Sequence, residues 1–283
     1  MAKFAGAALS SVFAAVFPAS CRLCRAPLAN FSRLPVCDEC LSRVTPFNVP
    51  RCHLCGDPLA PDSEFMAVEI CANCYIERPL FTRAISYAAY AGELRELIHL
   101  LKYQQVRPAA GVLGRMLAQA AEPLLAGFKA QPILVVPVPL YAGKFRERGF
   151  NQSELIARSA IRELSRQSGS SAAGATGHFA GKLELLTTVL LRRRATASQV
   201  GMTREERREN IRGAFAVAGK EQLAGREVLL VDDVVTTGAT VSECARMLLG
   251  AGVKAVYVAT VARALSESSL FASYREEAKE LRE

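Results

Sequence analysis

The spacing of the cysteines restricts the fold of this 283-residue chain more than any other feature. Eight of the nine cysteines form four CxxC pairs, separated by 12, 11 and 15 residues: Cys21/Cys24, Cys37/Cys40, Cys52/Cys55 and Cys71/Cys74. A CxxC turn places two thiolates on one side of a metal ion, and two such turns complete a tetrahedral set for Zn²⁺. The eight thiolates therefore predict two structural zinc ions in a small N-terminal domain.

Two alternatives stay open for these cysteines. They could form a disulfide framework, although consecutive CxxC turns favour metal. The two ions could be held by neighbouring pairs or by a crossed arrangement, since both fit the spacing. His53 lies inside the third pair and could compete as a ligand, but with eight cysteines available we expect it to be a bystander. We expect the ninth cysteine, Cys244, to be a small buried apolar residue.

The charge distribution supports a domain boundary near residue 78. Residues 1–78 carry seven basic and seven acidic side chains, so the net charge of +8 belongs to residues 79–283. A positive surface on the second domain suits an anionic ligand such as a diphosphate or a nucleic acid. Charge alone does not choose between them, and we keep single-stranded DNA open as a partner.

The first 21 residues, MAKFAGAALSSVFAAVFPASC, have only a weak likeness to a secretory signal. Their apolar run is interrupted by Gly6, Ser10 and Ser11 and is well below the ~20 residues that span a bilayer. We therefore expect a short packed helix, no membrane span and a cytoplasmic location.

A buried strand leading directly into two acids is the main feature of the second domain. Residues 228–240 read VLLVDDVVTTGAT, in which four apolar residues precede Asp232 and Asp233. Such a run is typical of a central parallel strand, which is covered on both faces. Residues 239–250 have the small-residue start and the apolar spacing of a helix. Since ligands of open α/β sheets bind at the carboxyl ends of the strands, we expect an anion at this helix start.

Four other segments of the second domain have readable patterns. Residues 81–103 predict a short strand pair followed by a helix from residue 92, on which we expect His99 and Lys102 to be solvated or packed. Residues 133–140, ILVVPVPL, predict a second buried strand, followed by a basic loop and a helix over residues 151–163. Residues 168–182 predict a flexible insertion, and residues 183–190 a strand. Residues 192–212 carry seven arginines against three glutamates.

These motifs, in this order, resemble the ComF family over nearly the whole chain. The resemblance rests on the four CxxC pairs, VVPVPL, RERGFNQSELIAR, the RREN run and VLLVDDVVTTGAT. It implies an α/β protein in which a small N-terminal double zinc ribbon, within residues 1–78, precedes a type I phosphoribosyltransferase-like parallel sheet flanked by helices. The family is associated with natural transformation and DNA uptake, so DNA-uptake proteins are further candidate partners.

The resemblance also implies a site for phosphoribosyl diphosphate. Two acids followed by TTG resemble the ribose and 5′-phosphate motif of these glycosyltransferases, with Asp232 and Asp233 as the catalytic pair on the ribose hydroxyls. The 5′-phosphate would be held at the helix start by Thr236, Thr237, Gly238, Ala239 and Thr240. The pyrophosphate, with Mg²⁺, would be held by Val138, Pro139, Leu140, Tyr141, Lys144, Arg146 and Arg148. The arginine-rich segment would form a mobile hood.

Three functions from different classes fit this sequence. The first is a phosphoribosyltransferase with an unidentified acceptor, and the second is a phosphoribosyl diphosphate sensor without turnover. The third is an adaptor that handles single-stranded DNA. The neutral first domain and the absence of tryptophan weaken the third function, because base stacking uses aromatic side chains.

Overall fold

The structure is a computed structural model, and it describes residues 20–28, 32–59, 68–128, 132–169, 182–197 and 201–265. Two sequence predictions lie wholly or mainly outside this range. They are the helix at the N-terminus and the flexible insertion, of which residues 170–181 are not described. The domain boundary near residue 78 stays a prediction.

Seven strands are present in the described ranges, and five of them form a parallel sheet in the order β1-β7-β6-β2-β3. The sheet strands are β1 (Arg83–Ala89), β2 (Ile133–Pro137), β3 (Leu183–Leu185), β6 (Glu227–Val235) and β7 (Ala255–Arg263). The remaining strands, β4 (Leu190–Arg192) and β5 (Phe215–Val217), form an antiparallel pair. The central position of β6 matches its continuous apolar run.

Eight helices accompany the strands in the same ranges. They are α1 (Asp38–Ser42), α2 (Ala72–Ile76), α3 (Gly92–Tyr103), α4 (Ala109–Leu125), α5 (Ala142–Arg148), α6 (Gln152–Gly169), α7 (Arg204–Ile211) and α8 (Ala239–Gly250). Alternation of side chains along β6 divides the core into two layers. Leu229 and Val231 pack in the layer of α3, α4 and α6, whereas Val228 and Leu230 pack in the layer of α8.

The predicted parallel α/β architecture is confirmed, and three local predictions are wrong. A single strand, β1, replaces the strand pair before α3. The basic segment after β2 is the helix α5, which ends at Gly149 in the left-handed conformation (φ 76°). Residues 183–190 contribute to two different sheets, because β3 pairs with β2 whereas β4 pairs with β5. The helix predicted over residues 151–163 continues to Gly169.

The cysteines form two sets made of neighbouring CxxC pairs. Within each set all four sulfur atoms lie within 4.8 Å of one another; the sets are Cys21/Cys24/Cys37/Cys40 and Cys52/Cys55/Cys71/Cys74. The Sγ atoms of Cys24 and Cys37 are 3.6 Å apart, as are those of Cys55 and Cys71. Tetrahedral zinc with Zn–S bonds of about 2.3 Å places its sulfurs about 3.8 Å apart, whereas a disulfide needs about 2.05 Å.

The sulfur geometry therefore fits two closed zinc sites. The disulfide and crossed arrangements are both wrong. His53 is exposed and belongs to neither set, as expected. We call Cys21/Cys24/Cys37/Cys40 the first zinc set and Cys52/Cys55/Cys71/Cys74 the second zinc set.

Both zinc sets pack directly against the parallel sheet domain. Leu34 and Val36, beside the first set, belong to the same apolar layer as α3. Beside the second set, Leu54 O accepts a hydrogen bond from Ala84 N of the edge strand β1 (2.7 Å). Gly56 has φ +76°, and a Cβ atom there would lie 2.8 Å from Ala84 O. The second set thus covers part of a sheet edge that would otherwise be open to pairing.

Helices α4 and α6 approach each other closely at Gly114. A Cβ atom at this position would clash with Ser159 and would lie 2.9 Å from Ala160 N. Gly111, one turn earlier on α4, has nothing within 4 Å of the equivalent position. The close contact between these helices therefore requires glycine at position 114 but not at position 111.

We predict opposite effects for alanine at these two glycines. Gly114→Ala should lower the free energy of unfolding by about 1–3 kcal/mol, because an added methyl group overpacks the interface between the helices. Gly111→Ala should raise the free energy of unfolding by about 0.5–1 kcal/mol through the higher helix propensity of alanine. Urea denaturation followed by circular dichroism measures both, and equal effects would contradict the packing described here.

We predict about two zinc ions per chain, held by the two sets. Cys74→Ser should remove one ion and Cys40→Ser the other. Cys244→Ala should change nothing, because Cys244 is fully buried in the apolar layer of α8 and belongs to neither set. Elemental analysis of purified protein, with native mass spectrometry of the variants, measures the count. A wild-type count near zero would contradict the assignment.

Candidate functional site

The two acids predicted from the sequence lie near the carboxyl end of the central strand β6, and both are buried. The exposed fraction of Asp232 is 7% and that of Asp233 is 4%. Asp232 Oδ1 accepts hydrogen bonds from Ser153 Oγ (2.8 Å) and from Asp233 N (2.9 Å). Asp233 Oδ2 forms an ion pair with Lys102 Nζ. Two carboxyl groups near the end of a central strand are therefore held by α6 and α3.

Sequence reasoning missed Lys102 and Ser153, and the first could have been found. Lys102 follows Ile98 by four residues on α3, so it continues the buried stripe of that helix. A buried lysine requires an anionic partner. Asp233 is that partner because it continues the row of Leu229 and Val231 toward the layer of α3. Ser153 carried no comparable signal, because its role depends on where α6 begins.

The two carboxyl groups have opposite pKa shifts. Burial, together with the charge of Asp233, raises the pKa of Asp232 to about 8. Burial also acts to raise the pKa of Asp233, but the adjacent Lys102 ammonium outweighs it and holds that pKa below its usual value. At neutral pH the unliganded site thus has an ionised Asp233 and a largely protonated Asp232.

The loop after β6 has the features of an anion site. Gly238 precedes α8 in the left-handed conformation (φ 81°), and no side chain caps the helix. The N–H groups of the first turn therefore lack a side-chain acceptor and carry the positive end of the helix dipole. In the described part of the chain, Thr237 Oγ1 is buried without a hydrogen-bond partner. An unpaired buried hydroxyl of this kind is unusual and is available to donate to a ligand or to an ordered water.

A cavity of about 220 Å³ joins Asp232 to this loop. Its walls come from β6, from the loop and the start of α8, from Tyr90 after β1 and from Lys102 of α3. The lining residues are Tyr90, Lys102, Asp232, Val234, Val235, Thr236, Gly238, Ala239, Thr240 and Val241. The volume is below the ~300–1,000 Å³ of sites for drug-sized molecules, so it suits a small polar group.

The segment predicted to hold a pyrophosphate begins beside the acids, because its first residue is bonded to the residue that precedes Asp232. Val138 N donates to Val231 O (2.8 Å), and Asn151 Nδ2 donates to Val138 O (3.0 Å). The loop formed by Val138, Pro139, Leu140 and Tyr141 is thereby fixed to β6 and to the start of α6.

The basic residues of α5 differ in their contacts. The Arg148 guanidinium lies 5.7 Å from the centroid of the Tyr103 ring and bonds to Gln152. Lys144 and Arg146 are exposed. In the described ranges no hydrogen bond or ion pair joins either of them to Asp232 or Asp233. Only Arg148 is therefore brought close to the end of α3.

A larger cavity of about 1,240 Å³ lies between the second zinc set and helices α7 and α8. It reaches the other side of the loop at Thr236 and Thr237. Several of its arginines are already paired: Arg208 with Glu77, Arg246 with Glu243, and Arg263 with Asp57. We call this space the interdomain cleft.

In the ranges that the structure describes, no helix is long and apolar enough to cross a membrane.

Two sequence families match separate parts of the chain. Residues 12–75 match the double zinc ribbon domain, and residues 155–271 match the phosphoribosyl transferase domain. The crystal structure of the protein TT1426 from Thermus thermophilus is similar in part, with 20% identity and a TM-score of 0.31, over 60% of this chain and 78% of that one.

Two curated proteins are similar over most of their length. The chain is 35% identical over 255 residues to DNA utilization protein YhgH of Escherichia coli strain K12, which covers 88% of this chain and 98% of that protein. It is 29% identical over 246 residues to Competence protein F of Haemophilus influenzae, which covers 86% and 96% respectively. The chain therefore belongs to the family of DNA utilization protein YhgH and Competence protein F, in which a double zinc ribbon precedes a phosphoribosyl transferase domain.

Proposed function

We propose that the chain binds phosphoribosyl diphosphate with Mg²⁺ at the carboxyl end of β6. The observation that carries this proposal is the 220 Å³ cavity, which has the buried carboxyl group of Asp232 on one side and an uncapped helix start on the other. A ribose 5-phosphate needs both, since its hydroxyls donate to carboxylates and its phosphate accepts from N–H groups. The match to the phosphoribosyl transferase domain supports the same ligand.

Each part of the site has a role in this proposal. Asp232 and Asp233 accept hydrogen bonds from the ribose hydroxyls, and Lys102 keeps Asp233 ionised. Backbone N–H groups of residues 236–240 hold the 5′-phosphate, to which the unpaired Thr237 hydroxyl donates. The loop at residues 138–141 and Arg148 contact the diphosphate in this proposal, and the exposed Lys144 and Arg146 add positive charge nearby. Bound Mg²⁺ neutralises part of the diphosphate charge.

The chemistry that suits such a site is phosphoribosyl transfer. The bond from C1 of the ribose to the diphosphate oxygen breaks, the electron pair leaves with pyrophosphate, and an acceptor atom bonds to C1. Positive charge develops at C1 before the acceptor bonds, so nearby carboxylates favour the transition state. We propose turnover of this kind with an acceptor still to be identified. A sensor would bind the same ligand without releasing pyrophosphate.

We predict that Asp232→Asn and Asp233→Asn each weaken phosphoribosyl diphosphate binding by about tenfold or more. Each change removes roughly 1.5–3 kcal/mol of charge-assisted hydrogen bonding. Thr237→Val should have a smaller effect, because the backbone donors remain. Glu184→Gln, an exposed acid on β3, is the control and should bind as the wild type does. Isothermal calorimetry in the presence of Mg²⁺ measures the affinity of these four variants and of the Asp232→Asn/Asp233→Asn double variant. Equal affinity of the wild type and the double variant would refute the site.

The raised pKa of Asp232 predicts how affinity depends on pH. A ribose hydroxyl donates to the ionised carboxylate, so binding must release the proton that Asp232 holds below pH about 8. Affinity should therefore rise by up to roughly tenfold per pH unit toward that value and level off above it. Asp232→Asn should lose this rise, apart from the part due to the ligand's own phosphates. Calorimetry in buffers of different ionisation enthalpy measures the released proton, and its absence would contradict this titration.

DNA handling is the second candidate function, and the names of the relatives favour it. Arg207 of α7 and Arg212, which follows the end of α7, line the interdomain cleft and are suitable contacts for phosphates. We predict that Arg207→Gln and Arg212→Gln each weaken oligothymidylate binding and lower its salt slope by about one. Asp232→Asn should leave that affinity unchanged. Fluorescence anisotropy over a salt series tests this, and joint loss of DNA and phosphoribosyl diphosphate binding in Asp232→Asn would contradict separate sites.

A further inference from the structure

Arg263 connects the second zinc set to the sheet domain. It is the last residue of β7, its exposed fraction is 7%, and every nitrogen of its guanidinium contacts the ribbon. Nε donates to Asp57 Oδ1 (2.9 Å), and Nη1 donates to Cys55 O (2.8 Å). Nη2 donates to Cys55 Sγ at 3.6 Å. The side chain therefore contacts a zinc-ligating sulfur as well as the carbonyl of the same residue.

The backbone of the same strand end holds the start of the loop proposed to bind the 5′-phosphate, residues 236–240, which we call the phosphate-binding loop. Arg263 pairs with Val235, the last residue of β6. Ala264 N then donates to Val235 O (2.9 Å), and Thr236 follows directly. On the other side, Arg263 O accepts from Tyr90 N (2.7 Å), and Tyr90 lines the 220 Å³ cavity. A displacement of this strand end would therefore reach both walls of the cavity.

The charges make this connection depend on the zinc-bound form of the second set. Four thiolates around one Zn²⁺ leave a net negative charge, which a guanidinium bonded to sulfur offsets. If Cys55 moved when zinc was lost, Arg263 would keep its ion pair with Asp57 but would lose both hydrogen bonds to Cys55. A buried guanidinium with unmet donors is costly, so the strand end would shift to recover them. The first zinc set has a different connection, an exposed bond from Arg22 to Gln104 at the end of α3.

We infer that the second zinc set positions the phosphate-binding loop through Arg263. Arg263 acts as a positioning residue and does not contact the ligand. The inference deepens the proposed function. Only the predicted change in ligand affinity rests on that proposed function. The effect on the loop itself can be measured in the unliganded protein.

The test compares Arg263→Met and Arg263→Lys with Arg246→Met, a control arginine that pairs with Glu243 on α8. Hydrogen exchange of a peptide spanning residues 234–242 is measured in the zinc-loaded, unliganded proteins. A chelator challenge followed by thiol alkylation and peptide mapping shows which set releases zinc. Calorimetry with phosphoribosyl diphosphate and Mg²⁺ is run on the same samples.

Arg263→Met should speed hydrogen exchange of the loop peptide roughly 5- to 30-fold. This factor is the expected increase in the population of the locally opened loop when its anchoring contacts are lost. It should also speed zinc loss from the second set about 10- to 100-fold while the first set stays as in the wild type. Arg263→Lys should give intermediate values, because lysine keeps a charge but not the three-way bonding. Arg246→Met should match the wild type in all three measurements.

Unchanged loop exchange in Arg263→Met would overturn the inference, and so would equal zinc loss from both sets. Cys74→Ser provides a second approach if Arg263→Met fails to fold. Cys74→Ser should speed hydrogen exchange of the loop peptide, whereas Cys40→Ser should not. Equal hydrogen exchange in these two variants would also overturn the inference. If wild-type protein fails to bind phosphoribosyl diphosphate while the loop and zinc effects appear, the proposed function fails and the connection stands.

Discussion

Two adjacent carboxyl groups buried at the end of a central strand are the constraint on which the rest of this structure depends. Two like charges so close and so far from water cannot both be ionised without compensation. Lys102 of α3 compensates Asp233. Asp232 instead retains a proton over a wide pH range and accepts a hydrogen bond from Ser153 of α6. Helices α3 and α6 are thus fixed relative to β6 by these two contacts as well as by apolar packing.

This arrangement is costly for a fold that has no ligand to bind. A protonated aspartate and a helix start without a side-chain cap line one small cavity, and the unpaired Thr237 hydroxyl lies in the loop between them. Each would be better satisfied by a ligand that offers hydroxyl donors at one end and an anion at the other. Structures retain such local conflicts mainly where they bind or react. The ribbons contribute to the same site, because the second zinc set covers the edge strand β1 and holds the end of β7.

The sequence predicted those parts of the molecule that local patterns determine. CxxC spacing defined the zinc ligands, the apolar run at residues 228–231 indicated a central strand, and the limits of α3 and α8 were correct. The helix α5 was missed because its side chains have no buried face and the glycine that ends it also suits a loop. The stripe of α3 indicated that Lys102 is buried, but the partners of Lys102 and Arg263 could not be identified because they lie far away in the chain. Long-range ion pairs of this kind leave little trace in local sequence.

The most direct test of the central claim is a crystal structure of the zinc-loaded protein with ribose 5-phosphate. We predict that the phosphate lies at the start of α8, with Thr237 Oγ1 donating to it. We also predict that the ribose hydroxyls lie within hydrogen-bond distance of the Asp232 and Asp233 carboxylates. Clear density for the sugar phosphate away from both Asp232 and the start of α8, with the 220 Å³ cavity holding only water, would contradict the claim.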